Sequence, residues 1–264
     1  MTSPHIEQIE IPMDGGTAEA YVARPASASN GASTGSSGRS SRSLPGVLLH
    51  MDAIGLRPRI AEMAQRIADW GYVVLAPNVF WRSGTVEEVG PTGDLREAGA
   101  REAFFAGAMP RVGALTSDLA EADIPRYLAT LRGLSGVGTG PVGTLGYCMG
   151  ARLALRTAAL DPEVAAVGGF HGGGLVTEEP DSPHLGLARA NAAFVLGHAD
   201  QDGSNPPEAI AELGRTLEAA GLQASNEVYA GAPHGYSMAD TSMYDEAAAE
   251  RHFTELQELF DRTL

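Results

Sequence analysis

The chain has 264 residues, 44% of them apolar, and a formal net charge of −15 at pH 7. That length suits a single α/β domain with a sizeable core, and the acidity argues against nucleic acid or an anionic membrane surface as partner, since both need clustered basic residues. No run approaches the roughly 20 apolar residues of a membrane helix, and a lone cysteine, Cys148, cannot build an internal disulfide framework.

The first segment, Met1 to Pro12, is polar and carries Glu7 and Glu10. It lacks the basic start and apolar centre of a signal peptide, so a cytoplasmic protein is expected. Ile6 to Ile11 and Thr17 to Ala23 alternate about Asp14-Gly15-Gly16 and predict a β-hairpin. Residues 26–43 are mostly Ser, Gly and Ala; such a stretch cannot bury apolar surface and is expected to be a mobile surface loop.

Gly46 to Met51 predicts a buried strand, followed by a loop at Asp52-Ala53-Ile54-Gly55. Ile60, Met63, Ala64, Ile67 and Trp70 recur at helical spacing, and Gly71 ends that helix. Tyr72 to Pro77 is another continuously apolar strand, so the two strands pair in parallel across a helical crossover. Asn78 to Arg111 is irregular, rich in glycine with Phe80, Trp81, Phe104 and Phe105, and is expected to be a long connection walling a pocket. Thr116 or Ser117 caps a helix that runs to Leu131.

Pro141 to Leu145 is a strand and Ala151 to Ala159 a helix, joined by Gly146-Tyr147-Cys148-Met149-Gly150. Strand, Gly-x-Cys-x-Gly, helix is the thiol form of a nucleophile elbow. The small residues are needed because a side chain at 146 or 150 would crowd the neighbouring strand or helix. The turn sets the sulfur at the positive end of a helix, which favours a thiolate. A buried, inert cysteine is the competing reading.

Strands are expected at Val164 to Phe170, Ala192 to Gly197 and Ser225 to Tyr229, with helices at Pro207 to Ala220 and Asp245 to Phe260. Asp52, Cys148, His171, Asp200 and His234 all follow predicted strands, where open α/β sheets carry reactive groups. A thiol attacking a carbonyl needs a base, and the base needs an orienting acid. Cys148, Asp200 and His234 occur in that chain order; Asp202 is the rival acid, with Asp200 favoured because it lies nearer the strand end. The oxyanion hole is expected from the backbone N–H groups of Met149 and Ala53. Asp52 is a candidate to hold the thiol neutral, or simply a turn-capping residue. His171-Gly172-Gly173-Gly174 lies downstream of the nucleophile and is not an oxyanion loop, although His171 is a possible substrate contact. Gly138 to Gly143 matches a dinucleotide fingerprint by letter only, because it precedes a strand. No cluster has zinc spacing, so no metal site is expected.

With these residues in view the chain resembles the dienelactone hydrolase family of the α/β-hydrolase superfamily. The likeness rests on Gly146-Tyr147-Cys148-Met149-Gly150, Gly197-His198-Ala199-Asp200, Gly231-Ala232-Pro233-His234-Gly235 and the Trp70 to Asn78 junction. It implies an α/β-hydrolase fold: a mostly parallel, doubly wound sheet with an N-terminal hairpin, as one domain over residues 1–264. It also implies a Cys148-His234-Asp200 triad that opens small carboxylic esters or lactones through a thioester, with no cofactor. The chain departs from the family prototype at two positions. A glutamate beside the oxyanion loop corresponds to Asp52, and a carboxylate-binding arginine four residues past the histidine corresponds to Met238. Arg82, Arg101 and Arg111 are the remaining candidates for such a grip. An uncharged ester fits equally well, with Phe80, Trp81, Phe104, Phe105 and Tyr236 as an apolar wall. A non-catalytic binding protein of this fold and a redox-responsive thiol are the rival functions. A small-molecule partner and a monomer or small homo-oligomer are expected.

Overall fold

Alternating side chains at the N-terminus build a hairpin from β1 (Glu7–Met13) and β2 (Gly16–Ala23), in a computed structural model that describes residues 6–26 and 43–264. Ile11 pairs with Ala18, and Gly15 takes the left-handed turn conformation at φ +88°. The stretch expected to be a mobile loop over 26–43 lies, apart from its two end residues, outside the described residues.

Six further strands follow: β3 (Gly46–His50), β4 (Val73–Pro77), β5 (Val142–Tyr147), β6 (Val164–Phe170), β7 (Ala193–Ala199) and β8 (Ala224–Tyr229). The sheet order is β1-β2-β4-β3-β5-β6-β7-β8. β2 joins β4 antiparallel, and every pairing from β4 to β8 is parallel. Every residue of β3, β4 and β5 is buried, which explains their unbroken apolar character.

The helices are α1 (Pro58–Ala68), α2 (Val86–Val89), α3 (Ala100–Ala114), α4 (Ser117–Gly133), α5 (Met149–Leu160), α6 (Pro207–Ala219) and α7 (Glu246–Thr263), with a 3-10 turn at Pro183–Arg189. Adjacent glycines on β6 show that the sheet is covered on both sides. A Cβ at Gly168 would meet Leu256 of α7, and one at Gly169 would approach Ala151 and Leu155 of α5. Successive strand residues face opposite ways, so α7 and α5 lie on opposite faces. α1 shares the α7 face, where Arg66 makes a bidentate pair with Glu250 at 2.6 Å and Trp70 meets Phe253 edge-on. α4 accompanies α5, through Arg156 on Glu121 at 2.5 Å.

The expected strands and helices are present with small shifts at their ends. One expectation is corrected. Residues 78–111 are not irregular throughout, because α2 and most of α3 fall there. α3 was hidden by Gly107, Pro110 and Gly113, and only Ala108 within it is buried, so it carries no apolar stripe. α2 is a single turn closed by a capping box between Thr85 and Glu88. Among the described residues no helix is long and apolar enough to cross a membrane.

Candidate active site

The turn from β5 into α5 places Cys148 at φ 55° and ψ −119°, a conformation that side-chain-bearing residues seldom adopt. The flanking glycines permit it. A Cβ on Gly146 would collide with the Gly150 carbonyl and stand 2.7 Å from the Ala151 nitrogen. One on Gly150 would reach the Met51 carbonyl at 2.5 Å. The elbow therefore packs backbone against backbone, and Cys148 is left partly exposed at the head of α5.

His234 arrives on the loop after β8. Its Nε2 lies 3.1 Å from the Cys148 sulfur, and its Nδ1 donates to Asp202 Oδ2 at 2.6 Å. The second oxygen of Asp202 is held by Ser204, whose N–H donates at 2.9 Å and hydroxyl at 2.7 Å. The acid on the histidine is thus Asp202, a correction to the expectation of Asp200. β7 runs to Ala199, and Gln201 then turns with φ 51°, which sends the two carboxylates in different directions. Asp200 instead accepts the Gly231 N–H at 2.8 Å while its own N–H donates to the Ala232 carbonyl at 2.8 Å. Those two bonds clip the loop that carries His234.

The electrostatics follow from this geometry. Burial opposes a charge on His234, but its bonds to Asp202 and Cys148 outweigh that and raise its pKa to about 10. Burial likewise opposes the charge on Asp202, yet His234 and Ser204 bring its pKa down to about 2.

The loop after β3 is braced by two arginines. Asp52, expected to modulate the thiol, is 4% exposed and turned away into a bidentate pair with Arg57, at 2.7 and 3.0 Å. It also caps the Ile54 N–H at 3.0 Å. Among the described residues it makes no hydrogen bond to Cys148, because the buried guanidinium takes its charge. Arg57 also binds Asp240 at 2.5 Å and contacts the Met238 sulfur at 3.3 Å. Arg111 of α3 lies over Phe80 and Phe104 and donates to the Ala53 carbonyl at 3.2 Å. The N–H groups of Ala53 and Met149 make no hydrogen bond among the described residues.

Three of the four expected substrate contacts are closed to a ligand in this structure. His171 is fully buried, bonded to Ser237 at 2.8 Å and edge-on to the His234 ring. Tyr236 is fully buried, with its hydroxyl donating to the Gly197 carbonyl at 3.0 Å. Phe80 is buried beneath Arg111. Trp81 remains partly exposed, its indole N–H on Asp123 at 3.0 Å. Arg82 is committed to the same Asp123 through two bonds, and Arg101 stacks over Phe105. Sequence reasoning missed the roles of Ser204 and Arg111; the Asp-x-Ser spacing of a side-chain-capped turn was the one available signal for Ser204.

Known proteins share this arrangement of elements. A candidate carboxymethylenebutenolidase of Salmonella typhi is 27% identical over 254 residues, covering 95% of this chain and 84% of the relative. The carboxymethylenebutenolidase of Rhodococcus opacus is 29% identical over 223 residues, covering 83% and 81%. The crystal structure of a candidate dienelactone hydrolase from Klebsiella pneumoniae superposes with a TM-score of 0.78 at 22% identity, over 97% of this chain and 98% of that one. Its likeness shows the shared α/β-hydrolase fold. Residues 34–264, the elbow and both loops that meet it included, match the model of the dienelactone hydrolase family, and the chain belongs to that family of hydrolases.

Proposed function

We propose that the protein hydrolyses small carboxylic esters or lactones with Cys148 as nucleophile, His234 as acid and base, and Asp202 as the acid that orients it. The observation that carries this reading is the bridge made by His234, at 3.1 Å to the sulfur and 2.6 Å to the carboxylate. A histidine with a pKa near 10 holds its proton at neutral pH, and that charge 3.1 Å from the sulfur supports a thiolate as the attacking species.

The thiolate attacks the ester carbonyl carbon, and the carbonyl oxygen takes up the negative charge. The N–H groups of Met149 and Ala53 are the donors for that oxygen; Met149 heads α5, where no helical acceptor precedes it. As the tetrahedral adduct collapses, Nε2 of His234 gives its proton to the leaving alcohol and the thioester remains. The sulfur has then lost its charge, so His234 keeps Asp202 as its one anionic neighbour and becomes a base. It removes a proton from water, the hydroxide adds to the thioester, and the thiolate leaves with the acid formed. In a lactone the alcohol stays tethered and the product is one hydroxy acid. The chain is proposed to work as one domain, with a small-molecule substrate.

Hydrolysis of 4-nitrophenyl acetate tests this, with intact-mass detection of the acetylated chain. Wild type is expected to turn over and to gain one acetyl group at Cys148. Full activity in Cys148→Ala overturns the reading.

A further inference from the structure

Among the described residues, three that carry a side chain take a positive φ: Cys148, His171 and Gln201. Such backbone costs free energy and gathers where a site must be held in one arrangement. Cys148 is the elbow residue, and Gln201 turns the chain toward Asp202. His171, at φ 39° just after β6, bonds to neither the sulfur nor the Asp202 carboxylate.

Its place is behind the histidine. The ring centroids of His171 and His234 are 5.4 Å apart, with the planes at 65°. Three neighbours fix the His171 ring: Tyr147 stacks on it at 5.8 Å, Tyr236 meets it edge-on at 4.9 Å, and Ser237 Oγ is hydrogen-bonded to its Nε2 at 2.8 Å. Ser237 lies three residues past His234, and its carbonyl accepts from Arg59 at 2.7 and 3.2 Å. His171 is fully buried, and burial together with the charge on His234 holds its pKa well below 6.5. It therefore stays uncharged beside the imidazolium, and its Nδ1 has no hydrogen-bond partner among the described residues. The glycines that follow extend the support to the acid. The Gly174 N–H donates to the Ser204 carbonyl at 2.8 Å, and a Cβ on Gly173 would stand 2.7 Å from the Ser204 hydroxyl that holds Asp202.

The need for a backstop changes during the reaction. Before acylation, the charge on the sulfur draws Nε2 of His234 toward it. In the thioester that charge is gone, and the bond from Nδ1 to Asp202 is the strongest remaining tie. The His234 side chain is 23% exposed and stands on a loop, so a ring pinned at one nitrogen can swing toward water. We infer that His171 is a positioning residue whose ring keeps Nε2 of His234 over the thioester, so that deacylation depends on it more than acylation does. This rests on the thioester mechanism proposed for Cys148 and His234.

Stopped-flow hydrolysis of 4-nitrophenyl acetate, which separates the acylation burst from steady turnover, tests this in wild type, His171→Asn and His171→Phe. Asn suits the left-handed backbone and removes the ring, while Phe keeps a ring and strands the Ser237 hydroxyl. In His171→Asn deacylation should slow about tenfold or more and acylation change by less than about threefold, so that kcat and KM fall together and acetylated chain accumulates in intact-mass spectra. His171→Phe should melt at a lower temperature and yet deacylate within about threefold of wild type. A second readout needs no turnover. The Nδ1 proton of His234, donated to Asp202 at 2.6 Å, should give a downfield proton resonance in wild type and His171→Phe, and exchange with water should broaden it away in His171→Asn. If His171→Asn does not fold, His171→Leu takes its place. Unchanged deacylation in the ring-less variant, equal slowing of both steps, or a Phe variant as slow as the ring-less one overturns the proposal. If wild type forms no acetyl-enzyme, the hydrolase reading fails and the resonance alone decides the positioning: its loss in the ring-less variant supports the role of His171, and its persistence there overturns it.

Discussion

The carboxylate of Asp202, and not that of Asp200, meets Nδ1 of His234, at 2.6 Å. The two acids are two residues apart, and each has its own task. Asp202 orients and charges the histidine, while Asp200 clips the loop through the Gly231 N–H.

Replacement separates these tasks. Asp202→Asn is expected to lower kcat/KM by about 10³–10⁴-fold, since an amide neither fixes the neutral imidazole in its working tautomer nor balances the charge of the imidazolium. Asp200→Asn is expected to cost about 1–2 kcal/mol of stability, with a far smaller loss of rate. Steady-state kinetics and urea unfolding on both variants check this. Equal loss of rate in the two would contradict the assignment.

His234 also sets the pH dependence. Its pKa of about 10 lies above the ordinary 6.5, so it keeps its acidic proton through neutral pH. The kcat/KM profile should hold a plateau and fall as pH rises through about 10. The same raised value means that its contribution to stability is fully present below about 6.5 and is lost as pH rises through about 10. Asp202 behaves in the opposite sense: its contribution is present above about 3.8 and is lost as pH falls through about 2. In Asp202→Asn the alkaline limb should move to lower pH. A limb that stays in place would show that another group controls it.

The elbow glycines are predicted to tolerate no side chain. A methyl group on Gly150 would press on the Met51 carbonyl at 2.5 Å, and one on Gly146 would strike the Gly150 carbonyl. Neither obstacle is a flexible side chain that can swing aside. Gly146→Ala is expected to lose about 3 kcal/mol or more, or to fail to fold. Thermal melting compared with Gly203→Ala, a site with open space around it, gives the control. Similar melting temperatures for the two variants would refute close packing at the elbow.

Arg57 and Asp52 form a pair whose side chains are 4% and 5% exposed. Removing one partner strands the other charge, so Arg57→Met should cost about 3–5 kcal/mol. The double variant Arg57→Met, Asp52→Asn should be destabilised by less than the two single changes added together. Strict additivity in chemical denaturation would rule out coupling through that pair.

Much of this architecture was legible from pattern alone. Fully buried parallel strands announce themselves as unbroken apolar runs, and a cysteine between two glycines marks a tight strand-to-helix junction. Cys148 and His234 were found that way, because each stands in a short loop fixed by glycine at known offsets from a strand. α3 was not found: a helix with one buried residue has no periodicity to read. Asp52 stands between two readings, thiol modulator and turn cap, for a different reason. Its partner is only five positions away, but whether a carboxylate faces a thiol or an arginine depends on how a loop closes.

By itself, then, the sequence determined the elbow, the order of the strands along the chain, and the histidine, since local spacing and backbone sterics specify all three. Only the tertiary structure decided between Asp200 and Asp202. Both follow β7, and the choice turns on where that strand ends and on the left-handed turn at Gln201, a residue with no glycine to mark it. The bracing of the loop after β3 by Arg57 and Arg111 was decided in the same way. Those contacts join residues 57 and 111 to groups on other loops and elements, at Asp240 and Ala53, and such meetings are set by packing rather than by spacing.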